Sequence, residues 1–108
     1  MALFAEFLAA LKANIFQYAK ENWQEHAASV MDDAEAFIEK AKADLERWLL
    51  LLEGGGLTKG DVAWLIEGKK ELAEMNALKQ IGLTKVKIDR CRRGILDVVK
   101  KTLLDFLA

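Results

Sequence analysis

Apolar residues recur at intervals of three or four positions through the whole first half of the chain. Such intervals place side chains on one face of an α-helix, and their mean of about 3.7 residues hardly drifts around a straight helix. The pattern predicts one amphipathic helix over about residues 2–53. Its apolar positions are Phe4, Leu8, Leu11, Ile15, Ala19, Trp23, Ala27, Val30, Ala34, Phe37, Ala41, Leu45, Trp48 and Leu52.

A second signal indicates a break inside this helix. Ser29 and Asp32 have the spacing of a capping box, and Asp33 would then stand in the first turn of a new helix. A break usually resets the phase of an apolar pattern, whereas here the phase continues undisturbed. We therefore predict an unbroken helix, with a break near Ser29 as the alternative.

Three consecutive glycines, Gly54–Gly56, interrupt the helical pattern in the middle of the chain. Glycine adopts left-handed dihedral angles without steric cost, so the stretch 54–57 is typical of a helix end followed by a turn. Thr58 and Asp61 then have the spacing of a capping pair, which predicts a short helix over about 58–67.

No strong helix breaker follows Lys69, and the chain contains no proline. Gly82 and Gly94 are isolated weak points that cost about 1 kcal/mol each relative to alanine. We predict a second long helix over about 69–106. The expected fold is all-α: a single domain, 1–108, in which a long antiparallel helical hairpin with a short connecting helix assembles into a helical bundle.

The last predicted helix has two apolar faces, and a helix that is apolar on two sides needs two partners. Ile81, Ile88 and Ile95 are one heptad apart, the spacing of a coiled-coil core position. Hydrophobic residues make up 53% of the chain, which indicates apolar surface left over for a second copy. We therefore expect a homo-oligomer, with a dimer favoured, that associates through Ile81, Ile88, Ile95, Val99, Phe106, Leu72, Met75 and Val86.

Opposite charges are separated along the chain. Residues 1–53 contain five Lys or Arg against ten Asp or Glu, and residues 54–108 contain eleven against seven, so the halves carry −5 and +4. Complementary halves are expected to lie side by side or to pair between subunits. The cations of the second half concentrate on a basic face of Lys79, Lys87, Arg90, Arg93, Lys100 and Lys101.

This basic face supports an alternative role as an adaptor for nucleic acid or for an anionic membrane surface, through the helix over 79–101. The sequence pI of about 5.9 is low for a nucleic-acid-binding domain. The aromatic residues near the amino terminus fit a helix core better than a membrane anchor. We therefore rank both partners below protein partners.

The residues offer little for catalysis or metal binding. His26, Ser29 and Asp33 share a helical face, but the first and last are about 10 Å apart along the axis, too far for the carboxylate to orient the imidazole. Trp23 stands where a Glu-x-x-His metal pair needs its glutamate. We predict no enzyme activity, catalytic residue, metal, cofactor or small-molecule substrate, and expect His26 and Cys91 to be packing residues.

The remaining expectations concern location and role. No apolar run approaches the length of about 18 residues needed to span a bilayer, and the amino terminus lacks the basic segment of a signal peptide. The single cysteine cannot form an intrachain disulfide, so we expect a cytoplasmic protein. Taken together, these features predict a non-enzymatic helical interaction or scaffolding protein that self-associates.

Overall fold

The computed structural model of the chain describes residues 2–106, and all regular structure within them is helical. This confirms the all-α fold. The described part measures 43 × 23 × 20 Å along its principal axes. Its elements are α1 (Ala2–Asn22), a 3₁₀ turn (Gln24–His26), α2 (Ala27–Glu53), α3 (Lys59–Glu67), a second 3₁₀ turn (Lys70–Leu72), α4 (Asn76–Gln80) and α5 (Lys85–Phe106).

The predicted unbroken helix over 2–53 is wrong, because the chain reverses at Trp23. A straight helix of that length would be roughly 75 Å long at 1.5 Å per residue, well beyond the 43 Å extent of the molecule. Trp23 adopts φ −136° and ψ 43°, outside the helical range, and α1 folds back to pack against α2. The apolar phase passes through the break because both helices bury the same face in one core. Ser29, the alternative break point, lies inside α2.

The glycine turn lies where the sequence predicts it. Helix α2 ends immediately before Gly54, and Gly55 has a φ of +80°, a left-handed conformation that favours glycine. The N–H of Gly56 donates to the carbonyl of Leu51 at 2.7 Å, which satisfies one of the last carbonyl groups of α2.

The short helix after the glycines is also confirmed, as α3. Thr58 and Asp61 form a complete capping box: the N–H of Thr58 donates to Oδ2 of Asp61 at 3.0 Å, and the N–H of Asp61 donates to Oγ1 of Thr58 at 3.1 Å. Val62 and Ile66 are buried, and α3 packs against α5.

The predicted long helix over 69–106 is wrong as well, because the backbone leaves the helical conformation at Met75 and Gly82. Their φ values of 60° and 81° lie in the left-handed region, which a right-handed helix does not contain. The chain therefore forms a 3₁₀ turn, α4 and α5 in succession. Ile81 lies in the turn before α5, so the heptad of isoleucines does not run along one helix. The two predicted long arms are replaced by a bundle of shorter helices.

Helix α4 is capped by a side chain from a different helix. Asp33 of α2 is buried, and its Oδ1 and Oδ2 accept hydrogen bonds from the backbone N–H groups of Ala77 and Leu78 at 2.8 and 3.0 Å. Met75, at the cap position itself, has no side-chain bond to these groups. A carboxylate 44 positions earlier therefore satisfies the free N–H groups of α4 and ties this short helix to α2.

The core lies between α1, α2 and α5, with α3 packed on α5 and α4 on α2. The ring of Phe7 meets Phe106 edge to face at a centroid distance of 5.9 Å. Nδ2 of Asn14 donates to Oγ1 of Thr102 at 2.9 Å, which joins α1 to α5. The largest fully buried side chains are Phe7, Phe37, Leu11, Ile15, Leu45, Leu49, Ile66, Met75, Leu78, Ile95, Leu103 and Val30.

Candidate interaction surface

The residues predicted to bind a second copy mostly pack within the chain. The burial of their side chains leaves most of them no surface to offer to a partner. Of the eight, Ile81 and Val86 are exposed, with 46% and 69% of their surface accessible. Met75, Ile88, Ile95 and Val99 are buried, and Leu72 and Phe106 are half-buried against the core.

The predicted basic face divides into a paired and an unpaired part. Arg93 and Lys100 bind the carboxylate of Glu67 in α3, with nitrogen to oxygen distances of 3.6 and 2.9 Å. The hydrogen bond from Lys100 is the main cause that lowers the pKa of Glu67 below its ordinary value. The other members form no ion pair within residues 2–106 and are exposed: Lys79, Lys87, Arg90 and Lys101.

Unpaired cations and exposed aliphatic side chains meet around the turn between α4 and α5. The turn is made possible by Gly82, and Val86 and Arg90 are one helical turn apart at the start of α5. Asp89, the carboxylate nearest along α5, binds the guanidinium of Arg92 at 2.6 Å. We define the turn surface as the exposed residues Lys79, Ile81, Lys85, Val86, Lys87 and Arg90.

An acidic surface occupies the outer side of α2. Its carboxylates recur at helical intervals, so they line one side of the helix. Two ion pairs join the halves of the chain, Lys69 with Asp44 at 3.1 Å and Lys40 with Glu74, and neither involves this surface. We define the acidic stripe as Asp32, Glu35, Glu39, Glu46 and Glu53, which form no ion pair within the described residues.

A solvent-open groove of about 970 Å³ separates the junction of α1 and α2 from the first half of α5. Tyr18, Trp23 and His26 line one wall, and Val86 and Arg90 line the other. The sequence does not predict this groove, because the groove exists only where the chain reverses at Trp23. Its walls carry charges of both signs: Glu21 and Glu25 lie on the wall formed by α1 and the turn after it, and Asp89 and Asp97 lie beside Lys87, Arg90 and Arg93 on α5.

Gly94 lets an aromatic side chain lie directly on α5. Nε1 of Trp23 donates a hydrogen bond to the hydroxyl of Tyr18 at 2.9 Å, and partial burial raises the pKa of Tyr18. A Cβ atom at Gly94 would lie 1.9 Å from that hydroxyl oxygen and 2.3 Å from Cζ. Gly94, which the sequence marks as a weak point in the helix, therefore leaves the space that the Tyr18 ring occupies.

The side chains considered for catalysis do not form a reactive site. Both carboxylate oxygens of Asp33 are used to cap α4, which removes this group from His26 and Ser29. Burial, followed by the charge of Asp33, raises the pKa of the Cys91 thiol to about 12, so the thiolate that reacts as a nucleophile is scarce near neutral pH. Within residues 2–106, no group of three His, Cys, Asp or Glu side chains is placed to hold a metal ion.

Trp64 is a further exposed residue that sequence analysis did not select. With 76% of its surface accessible, it is the most exposed large hydrophobic side chain in the described part of the chain. The spacing of the apolar residues in α3 already indicates that Trp64 is exposed, because Trp64 lies two positions from both Val62 and Ile66. Those two residues face the core, so the tryptophan between them must face outward.

No helix in the described range 2–106 combines the length and the apolar character needed to cross a membrane. Comparison of the chain with protein-family models, with curated proteins and with solved structures found no match. The charge distribution and the exposed side chains are therefore the features of the chain that bear on its function.

Proposed function

We propose that this chain is a non-enzymatic helical interaction protein that associates with itself, most simply as a homodimer, through oppositely charged surfaces. The proposal is supported by one observation: opposite charges are separated along the chain, and most of them do not form ion pairs between the two halves inside the fold. The two halves carry −5 and +4, yet two ion pairs connect them within the described residues. The acidic stripe and the unpaired cations remain available to another molecule.

Two-fold symmetry would use both surfaces at once. In a symmetric dimer each contact occurs twice, so the acidic stripe of one copy can meet the basic residues of α5 in its partner, and the reverse. Lys87, Arg90 and Lys101 lie on one side of α5 and span about 21 Å, roughly two-thirds of the length of the acidic stripe. This arrangement replaces the apolar interface expected from the sequence, whose residues are mostly buried in the chain's own core. Coiled-coil pairing is accordingly no part of the proposal.

The test is light scattering after gel filtration at low and high salt, at micromolar protein concentration. We expect a dimer in low salt and a smaller average mass in high salt, because exposed charge pairs are screened by ions. Glu35→Lys with Glu39→Lys should give a monomer, and so should Lys87→Glu with Arg90→Glu. Mixing the two reversed proteins in equal amounts should restore a dimer, because each then offers the charge that the other needs.

Glu71→Lys is the matched control, since Glu71 is exposed, lies outside the acidic stripe and forms no ion pair within residues 2–106. It should leave the mass unchanged. A wild-type protein that is monomeric at every salt concentration would overturn the proposal. A cytoplasmic location belongs to the same proposal and is supported by the free, buried Cys91.

A further inference from the structure

We propose that the turn surface docks on an anionic membrane surface, with Ile81 and Val86 entering the headgroup region and the surrounding cations contacting acidic lipid headgroups. The proposal goes beyond self-association. Lys87 and Arg90 also belong to the proposed dimer contact, so lipid and a second copy would compete for them, whereas Ile81, Val86 and Lys85 belong to the turn surface alone. It rests on the way the fold presents these residues and on which charges it leaves unpaired. An anionic lipid surface is the binding partner whose chemistry matches both the aliphatic and the cationic side chains.

The aliphatic residues Ile81 and Val86 are exposed, although residues close to them in the sequence are buried in the core. Ile81 is 46% and Val86 is 69% accessible, while Leu78 and Ile88, each a few positions away, are buried. The left-handed φ of Gly82 turns the chain between them, so the two exposed residues flank one bend. Aliphatic side chains at a bend can enter the boundary between headgroups and acyl chains without the helix having to span the bilayer.

The cations around this bend are free to meet lipid headgroups. Lys79, Lys85, Lys87 and Arg90 form no ion pair in the described part of the chain. Lys79 acts on Glu74 only as a distant charge, because the carboxylate of Glu74 binds Lys40. Asp89 is held by Arg92. The residues next to the exposed aliphatic side chains therefore carry four positive charges with little local compensation.

The groove determines which side of the molecule faces the lipid. Glu21 and Glu25 line the wall opposite Val86 and Arg90, so an anionic surface repels that wall and attracts the turn. The molecule should therefore approach with the α4–α5 turn foremost and with the junction of α1 and α2 held away. This orientation leaves the acidic stripe of α2 outside the contact.

The exposed apolar residues favour lipid over nucleic acid. Proteins that bind single-stranded nucleic acid stack bases on aromatic side chains beside the cations, whereas the turn surface offers isoleucine and valine. The aromatic residues that line the groove are Tyr18 and Trp23, and the indole N–H of Trp23 is bonded to the hydroxyl of Tyr18. The chemistry around the turn therefore matches an acyl-chain boundary better than a base.

The experiment measures sedimentation of the full chain with phosphatidylcholine vesicles, with and without about one-third phosphatidylserine. We expect binding only to the phosphatidylserine vesicles, and weaker binding at high salt. Each Lys or Arg near an anionic surface changes the partition coefficient about fivefold, so Lys85→Gln with Lys87→Gln should reduce it about 25-fold. Ile81→Ser with Val86→Ser should reduce it about tenfold through the lost apolar burial.

Matched controls remove the same groups elsewhere on the surface. Lys12→Gln with Lys59→Gln removes two exposed cations outside the turn surface, and Leu50→Ser removes an aliphatic residue that is 43% exposed on α2. Both controls should bind vesicles nearly as well as the wild type. All the substituted residues are exposed, so an unchanged thermal unfolding curve is expected and would show that each variant is folded.

Three results would overturn the inference. The wild type could fail to bind phosphatidylserine vesicles, or the Lys12 and Lys59 control could lose as much binding as the Lys85 and Lys87 variant, which would assign the effect to overall charge. Alternatively, a single-stranded oligonucleotide could bind through Lys85 and Lys87 while vesicles do not, which would identify nucleic acid as the partner. The serine variants of Ile81 and Val86 should leave the mass in solution unchanged, so failure here and failure of the proposed dimer are distinguishable.

Discussion

Replacing Gly94 by alanine tests the packing of α5 against the end of α1. In an exposed helix interior this change would stabilise the protein by about 1 kcal/mol, because alanine has the higher helix propensity. Here the new Cβ would lie 1.9 Å from the hydroxyl oxygen of Tyr18 and 2.8 Å from its Cε1, distances that real contacts do not reach. The tyrosine ring must therefore swing out of its position.

Moving the ring has a cost that the structure allows us to estimate. Tyr18 loses the hydrogen bond from Nε1 of Trp23, which contributes about 1 kcal/mol. It also loses part of the apolar burial of its ring, about 1–2 kcal/mol. Against the gain in helix propensity, the net destabilisation of Gly94→Ala should be about 1–2 kcal/mol. In a domain of this size that corresponds to a fall in Tm of roughly 4–15 °C.

Urea unfolding, monitored by circular dichroism, measures the difference in stability between Gly94→Ala and the wild type. Gly60→Ala in α3 is the matched control, because the nearest atom to its added Cβ is the Thr58 hydroxyl oxygen at 3.8 Å. That variant should be as stable as the wild type or slightly more stable. A double variant with Tyr18→Ala should reverse the sign, so that Gly94→Ala becomes stabilising once the ring is absent. A Gly94→Ala protein with wild-type stability or better would refute the packing argument.

Three further predictions concern buried groups. Asp33→Ala should destabilise the protein by more than about 2 kcal/mol, because two N–H groups of α4 lose their acceptor; equal stability in urea would contradict the cap. Ile88→Asp should abolish cooperative unfolding, whereas Val86→Asp at an exposed position should retain it, as thermal circular dichroism would show. The Cys91 thiol has a pKa of about 12 in the folded protein against 9.0 ordinarily, so folding stability should be full below pH 9 and decline as pH rises toward 12. Cys91→Ala should reduce this decline and leave the part that the raised pKa of Tyr18 causes. Rapid reaction of the native thiol with a disulfide reagent at pH 8 would argue against its burial.

Much of the local structure could be predicted because its causes lie within a few residues of one another. The glycines before Leu57 and the capping pair Thr58 and Asp61 act through neighbouring backbone atoms, and they place the end of α2 and the start of α3 correctly. The apolar intervals of the first half also identify side chains that face the core, including Leu11 and Phe37. Periodicity and turn chemistry are local properties, so a sequence displays them directly.

The charged surfaces were predicted in part. The sequence shows the opposite charges of the two halves, but the distances decide which of them pair. Arg93 and Lys100 bind Glu67 within the second half of the chain, while Lys87 and Arg90 remain unpaired. Long side chains select partners by proximity in space, and the number of charges along a sequence does not contain that information.

The sequence by itself determined that this chain is all-helical, where its central turn lies and which faces of its helices are apolar. Only the tertiary structure decided where the long helices break. An apolar pattern has the same phase whether the helix runs straight on or folds back at Trp23 into the same core. The formation of α4 as a separate helix likewise depends on Asp33, whose carboxylate caps α4 from 44 positions earlier in the chain. No local sequence rule connects Asp33 with Ala77. Burial and capping across the fold stabilise these reversals, and such long-range contacts exist only once the chain has folded.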